Sequence, residues 1–122
     1  MITEHEAKIK LTNEQVANQM IGALEGGSNY WISGFFLESS THTPVEKPWY
    51  ADPLVYTGEF KIRVEPHEDE ETMFTHETLK KGLDWLAQKH PRRLVEILTE
   101  NDDAETSDVF LQACVFGEIV YG

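Results

Sequence analysis

Residues 23–31 read "ALEGGSNYW", from Ala23 to Trp31. Gly26 and Gly27 supply a helix stop that tolerates positive φ, and Tyr30 and Trp31 open a segment rich in aromatics. The junction between the first helix and the first strand therefore lies inside this nonapeptide. Ser28 and Asn29 are more than a stop requires, which marks the stretch for a second use.

Upstream, Thr12-Asn13-Glu14-Gln15 has the form of a capping box. Val16, Met20, Ala23 and Leu24 then recur at helical spacing, so a helix is expected over about 13–25. Downstream, Tyr30 to Glu38 reads as a strand with Gly34 as a bulge or point of close approach. Residues 39–53 carry three prolines and form a long loop.

Leu54-Val55-Tyr56 reads as a short strand, and Gly58 as a turn. Phe60, Ile62 and Val64 then alternate with Lys61, Arg63 and Glu65, the pattern of a strand with one wet face. Pro66 ends it before an acidic turn. Thr75 is the expected N-cap of a helix over 76–90, with Leu79, Leu83 and Leu86 on one face. A further helix starts at Pro91, with Leu94 and Leu98 as its apolar side.

An acidic linker, 101–108, leads to a helix over 109–116 that Gly117 stops, and residues 118–121 ("EIVY") read as a last short strand. The order predicts a single α+β domain over 1–122, with an antiparallel or mixed sheet of four to five strands and three to four helices.

The composition excludes several classes. The chain has 122 residues and 40% hydrophobic residues, enough for one core. No apolar run approaches the roughly 20 residues a bilayer span needs, and the opening "MITEHEAKIK" lacks the apolar region of a secretory signal. The single cysteine, Cys114, fits a reducing compartment. A net charge of −12 repels nucleic acid polymers and anionic membranes. Such acidity serves solubility, or it mimics a nucleic acid toward a basic groove on another protein.

Catalytic and metal motifs fail on spacing. His76-Glu77 lacks the second histidine of H-E-x-x-H, because position 80 is Lys80. Gly26-Gly27-Ser28-Asn29-Tyr30 lacks the last glycine of a nucleophile elbow. Asp103, Glu105 and Ser107 lack the glycine and terminal Glu of a calcium loop. His5, His42, His67, His76 and His90 share no ligand spacing, so neither metal, cofactor nor catalytic group is expected.

The cations are the positive signal. Lys80, Lys81, Lys89, Arg92 and Arg93 are five of the ten Lys and Arg, within fourteen positions. Helix-end electrostatics accounts for some of them. Arg92 and Arg93 are also suited to bidentate phosphate binding. Asn29, Tyr30 and Trp31 offer an amide, a hydroxyl and a wide ring face, the groups that grip an unpaired base. Strand neighbours point to opposite faces, so at most one of Tyr30 and Trp31 is expected to face the core.

Taken in order, "ALEGGSNYW", "LKKGL" (79–83) and "FLQACVFGEIVYG" (110–122) resemble the phage-encoded Thoeris anti-defence family, type one, and related phage proteins of similar length. Residues 38–72 depart from it, where a glycine-rich strand entry appears only as Thr57-Gly58. The resemblance implies a non-enzymatic sponge in the host cytoplasm. It would bind a cyclic ADP-ribose isomer or a cyclic oligonucleotide without degrading it, as a homo-oligomer. By residue type, Asn29, Tyr30, Trp31, Lys80, Lys81, Arg92 and Arg93 would hold the ligand. The alternative is an acidic inhibitor that docks on a host defence complex by nucleic-acid mimicry.

Overall fold

The computed structural model describes residues 10–122, so His5 lies outside the described residues. The first helix, α1 (Asn13–Gly22), carries the expected capping box. Thr12 accepts from the Gln15 backbone, and the Gln15 side chain accepts from Thr12 N. A π-helical turn, Ala23–Gly27, continues it into the quoted stretch.

Strand β1 (Ile32–Ser40) follows, then turns of 3-10 helix at Trp49–Ala51 and Pro53–Tyr56. Strands β2 (Phe60–Pro66) and β3 (Thr72–Thr75) complete an antiparallel sheet in the order β1-β2-β3. Helices α2 (His76–Lys89), α3 (Pro91–Leu98) and α4 (Ala104–Phe116) close the domain. The α+β class stands, and the described residues form four helices and three strands where four to five strands were expected. No helix among the described residues is long and apolar enough to cross a membrane.

Both lost strands have physical causes. At Leu54–Tyr56, Asp52 accepts from the backbone of Leu54, Val45 and Glu46, and Pro53 occupies the first turn position. The chain therefore winds instead of extending. Among the described residues no strand pairs with 118–121, and the Gln112 side chain takes the Val120 and Tyr121 backbone instead. Conversely, Thr72–Thr75 was not expected to be a strand. It puts Phe74 in the core and runs straight into the Thr75 cap of α2, so it has no boundary of its own.

The alternation in β2 holds: Phe60, Ile62 and Val64 are buried, and Arg63 lies outward over the Phe36 ring at 4.6 Å. The bulge near Gly34 is also present, as a register shift between Ile32 and Gly34 against β2. On α3 the inward pair is Leu94 and Ile97, while Leu98 is exposed. The helix therefore turns its Leu94–Ile97 edge to the core, not the Leu94–Leu98 edge.

The centre of the domain is α4, buried almost all round from Thr106 to Cys114, as a helix with neighbours on every side must be. It begins five residues earlier than the sequence suggested, because Asp103 caps it by accepting from Thr106 N. Glycines let neighbours approach it. A Cβ at Gly27 would lie 2.2 Å from the Ala104 carbonyl oxygen, so close approach, not positive φ, requires glycine there.

A Cβ at Gly82 would lie 2.7 Å from Cys114 Sγ and 2.8 Å from Cys114 Cα. The Gly82→Ala substitution gains about 1 kcal/mol of helix propensity. It must nonetheless force α2 off the backbone of α4, so a net loss of about 1–2 kcal/mol is expected. Thermal unfolding checks the sign, and a more stable variant would show that the helices can separate freely.

Candidate functional site

The quoted stretch and α4 meet on one carboxylate. Asp108, 8% exposed, accepts from Ser28 Oγ at 2.8 Å, Trp31 Nε1 at 2.7 Å, the Tyr30 hydroxyl at 2.5 Å and Gln112 Nε2 at 3.1 Å. The π-helical turn brings Ser28 over α4, and Ser28 O accepts the backbone N–H of both Trp31 and Ile32. Ser28, Tyr30 and Trp31 thereby become three donors aimed at one acceptor. That is the second use of the sequence after the double glycine.

Trp31 is the inward member of the aromatic pair. It is 2% exposed, and Tyr121 stacks on its ring at 5.3 Å and 12°. Phe116 meets the same ring, tilted, at 5.3 Å. Its role in this arrangement is core packing, and the expectation of an open ring for a base passes to Tyr30, 54% exposed. The Tyr30 hydroxyl end is sunk against α4, and that burial, then the bond to Asp108, pushes its pKa up to about 12. Asn29 is exposed beside it.

Two clefts flank the first turn of α4. One, of about 500 Å³, is bordered by Gly27, Tyr30, Asp108, Val109, Gln112 and Tyr121 among others. The second, of about 480 Å³, is bordered by Lys89, His90, Arg92, Arg93, Glu96 and Asp103. Glu105 belongs to both walls, so the aromatic and basic clefts adjoin. Lys80 and Lys81 border neither: both are exposed on α2, and Lys81 pairs with Glu77 at 3.5 Å.

The basic cleft contains its own counter-charges. Arg93 binds Glu96 at 3.0 Å and Glu105 at 2.5 Å. The bond to Glu96 raises the Arg93 pKa, and reciprocally Arg93, then Thr106, hold the Glu96 carboxyl below its usual range. Asp103 is lowered chiefly by the Thr106 backbone it caps. Arg92 is the freer guanidinium, 91% exposed and 4.0 Å from Glu96. The Cys114 thiol is buried, and burial pushes its pKa up, which disfavours the thiolate. Among the described residues no group of three or more His, Cys, Asp and Glu is placed to hold a metal ion.

Asp108, Gln112 and Tyr121 were not expected at the site. Asp108 and Gln112 stand four apart, hence on one face of α4, and Gln112 is the polar residue inside the apolar run 109–116 that Asp108 precedes. That spacing was a readable signal, hidden by taking Asp108 as part of an acidic linker. No protein-family model matches the chain, and no curated protein or solved structure was found to be similar to it.

Proposed function

We propose that the chain is a non-enzymatic binder that sequesters a cyclic nucleotide signal in the two adjoining clefts beside α4. The observation that carries this reading is their shared wall at Glu105: an exposed tyrosine ring borders one side, and Arg92, Arg93 and Lys89 border the other. A ring with phosphates attached would span both, stacking on Tyr30 while Arg92 grips an anionic oxygen.

Arg93 would exchange Glu105, whose side chain is 71% exposed, for a phosphate oxygen. Glu105 is the open partner, with Arg93 22% exposed, so it is the carboxylate that would swing out into solvent to make room. The sequence resemblance supports a cyclic ADP-ribose isomer as the ligand and the host cytoplasm as the place of action. Assembly into a homo-oligomer would cover Ile119 and Val120, which stand exposed beside the aromatic cleft.

Thermal unfolding against a panel of cyclic nucleotides tests the reading. A ligand at a hundred times its Kd should add about 2.7 kcal/mol of stability and be recovered intact. The Arg92→Glu variant should bind at least about tenfold more weakly, a loss of about 1.4 kcal/mol. A panel with no shift overturns the proposal.

The exposed run Glu68-Asp69-Glu70-Glu71 favours a second reading, an acidic surface that docks on a basic partner. That reading expects salt-sensitive protein binding that Arg92→Glu leaves intact.

A further inference from the structure

The segment after α4 is held in an unusual way. Gly117, at φ 72°, turns the chain out of the helix, and it returns as far as Gln112. Among the described residues, no main-chain hydrogen bond reaches Glu118–Tyr121. Instead Gln112 Oε1 accepts from Val120 N and Tyr121 N, both at 2.8 Å, and Gln112 Nε2 donates to the Tyr121 carbonyl at 3.1 Å. The Tyr121 ring lies on Trp31, and its hydroxyl donates to Asp69. Ile119 and Val120 face outward, 36% and 47% exposed, so they bury little that would hold the segment down.

The two groups beneath it do not depend on it for their orientation. Trp31 Nε1 stays tied to Asp108, and Gln112 Nε2 keeps one N–H on Asp108, so that the N–H now on the Tyr121 carbonyl is the one lifting would free. If the segment lifted, a flat indole face and a fixed carboxamide would remain. A glutamine carboxamide is the side chain that reads the donor–acceptor edge of adenine, and indole is a stacking platform for a base. Tyr121 borders both the aromatic cleft and a smaller one of about 230 Å³ lined by Trp31, His67 and Glu68, so its departure would join them.

We propose that Glu118–Tyr121 is a releasable strap, and that lifting it uncovers an adenine site made of the Trp31 face and the Gln112 carboxamide, to which the base would pass from the Tyr30 ring beside it. In the closed form Tyr121 supplies from the chain itself the stacked ring and the amide edge that the ligand would bring. The ligand half rests on the nucleotide reading above, whereas the strap half stands on these contacts alone.

Hydrogen exchange on the full native chain tests the strap. The Val120 and Tyr121 amides should exchange through a local opening that low denaturant does not change, while Leu111 and Cys114 exchange only with global unfolding. If all four exchange together, the strap is overturned.

Adenosine 5′-monophosphate serves as the probe for the site. Tyr121→Ser removes the competing ring and should bind it about tenfold more tightly than the native chain, because less of the protein is closed. Equal or weaker binding by a variant with native circular dichroism overturns the adenine site. If cyclic nucleotides still bind in that case, the sequestration reading survives; if nothing in the panel binds either form, both fall.

Discussion

Asp108→Ala is expected to lower stability by about 3–5 kcal/mol. The carboxylate receives four donors, and Ser28, Trp31 and Gln112 are themselves buried. Without it, Ser28 Oγ and Trp31 Nε1 stay inside with no acceptor in place. Each buried orphan costs about 1–3 kcal/mol. Gln112 loses one of its partners and retains the strap carbonyl. Asp108→Asn keeps one acceptor oxygen but turns an amide donor toward other donors, so about half the loss is expected.

Urea denaturation measures both variants, and a loss below about 1 kcal/mol for alanine would show that water replaces the carboxylate. A second readout is the Tyr30 phenol. Its raised pKa means stability that is full below pH 10 and lost as the pH rises toward about 12. In the alanine variant the bond that helps raise it is gone, so the Tyr30 phenol should titrate closer to 10.

The same cluster shows which features a sequence displays and which it hides. Two helix starts were readable because a cap is a local contact: Thr12 and Thr75 each act on a residue three positions on, whereas Asp103, which caps α4 in the same way, stood unmarked among neighbouring acids. The wet-faced strand β2 was readable because alternation is also local. Two other features depended on partners outside their own segment. Asp108 looks like one acid in an acidic run until Ser28, eighty positions away, donates to it. Residues 118–121 look like a strand until a glutamine side chain, and not a neighbouring strand, satisfies their backbone.

At the candidate site, residue type singled out Arg92 and Arg93, and both border one cleft. It could not show that Glu96 and Glu105 already engage Arg93, since side-chain pairing follows from the α3–α4 packing. Nor could it say which of Tyr30 and Trp31 faces inward. Both lie in the turn before β1 and both donate to Asp108, so what separates them is packing: Phe116 and Tyr121 close over the Trp31 ring and leave the Tyr30 ring exposed.

Trp31→Ala is expected to cost about 3–5 kcal/mol, the range for removing a large aromatic from a core. Its ring is the surface against which Phe116 and Tyr121 pack, so truncation leaves a cavity that touches α4 and the returning segment together. Trp31→Phe separates ring from donor. It keeps a stacking face for Tyr121 and deletes the 2.7 Å bond to Asp108, with about 1–2 kcal/mol expected for that bond.

In a cycle with Asp108→Ala, the two losses should fall short of additivity by about 0.5–2 kcal/mol, since once the carboxylate is absent the indole N–H has nothing left to lose. Additive losses would mean that Trp31 is held by its ring contacts alone, and the Ser28–Trp31 turn would then owe its shape to packing rather than to the carboxylate. Ligand affinity distinguishes the roles further. If Tyr30 alone stacks the ligand, a folded Trp31→Phe protein binds as the native chain does. If the indole face under Tyr121 is the platform, the smaller phenyl ring weakens binding even though the fold is kept.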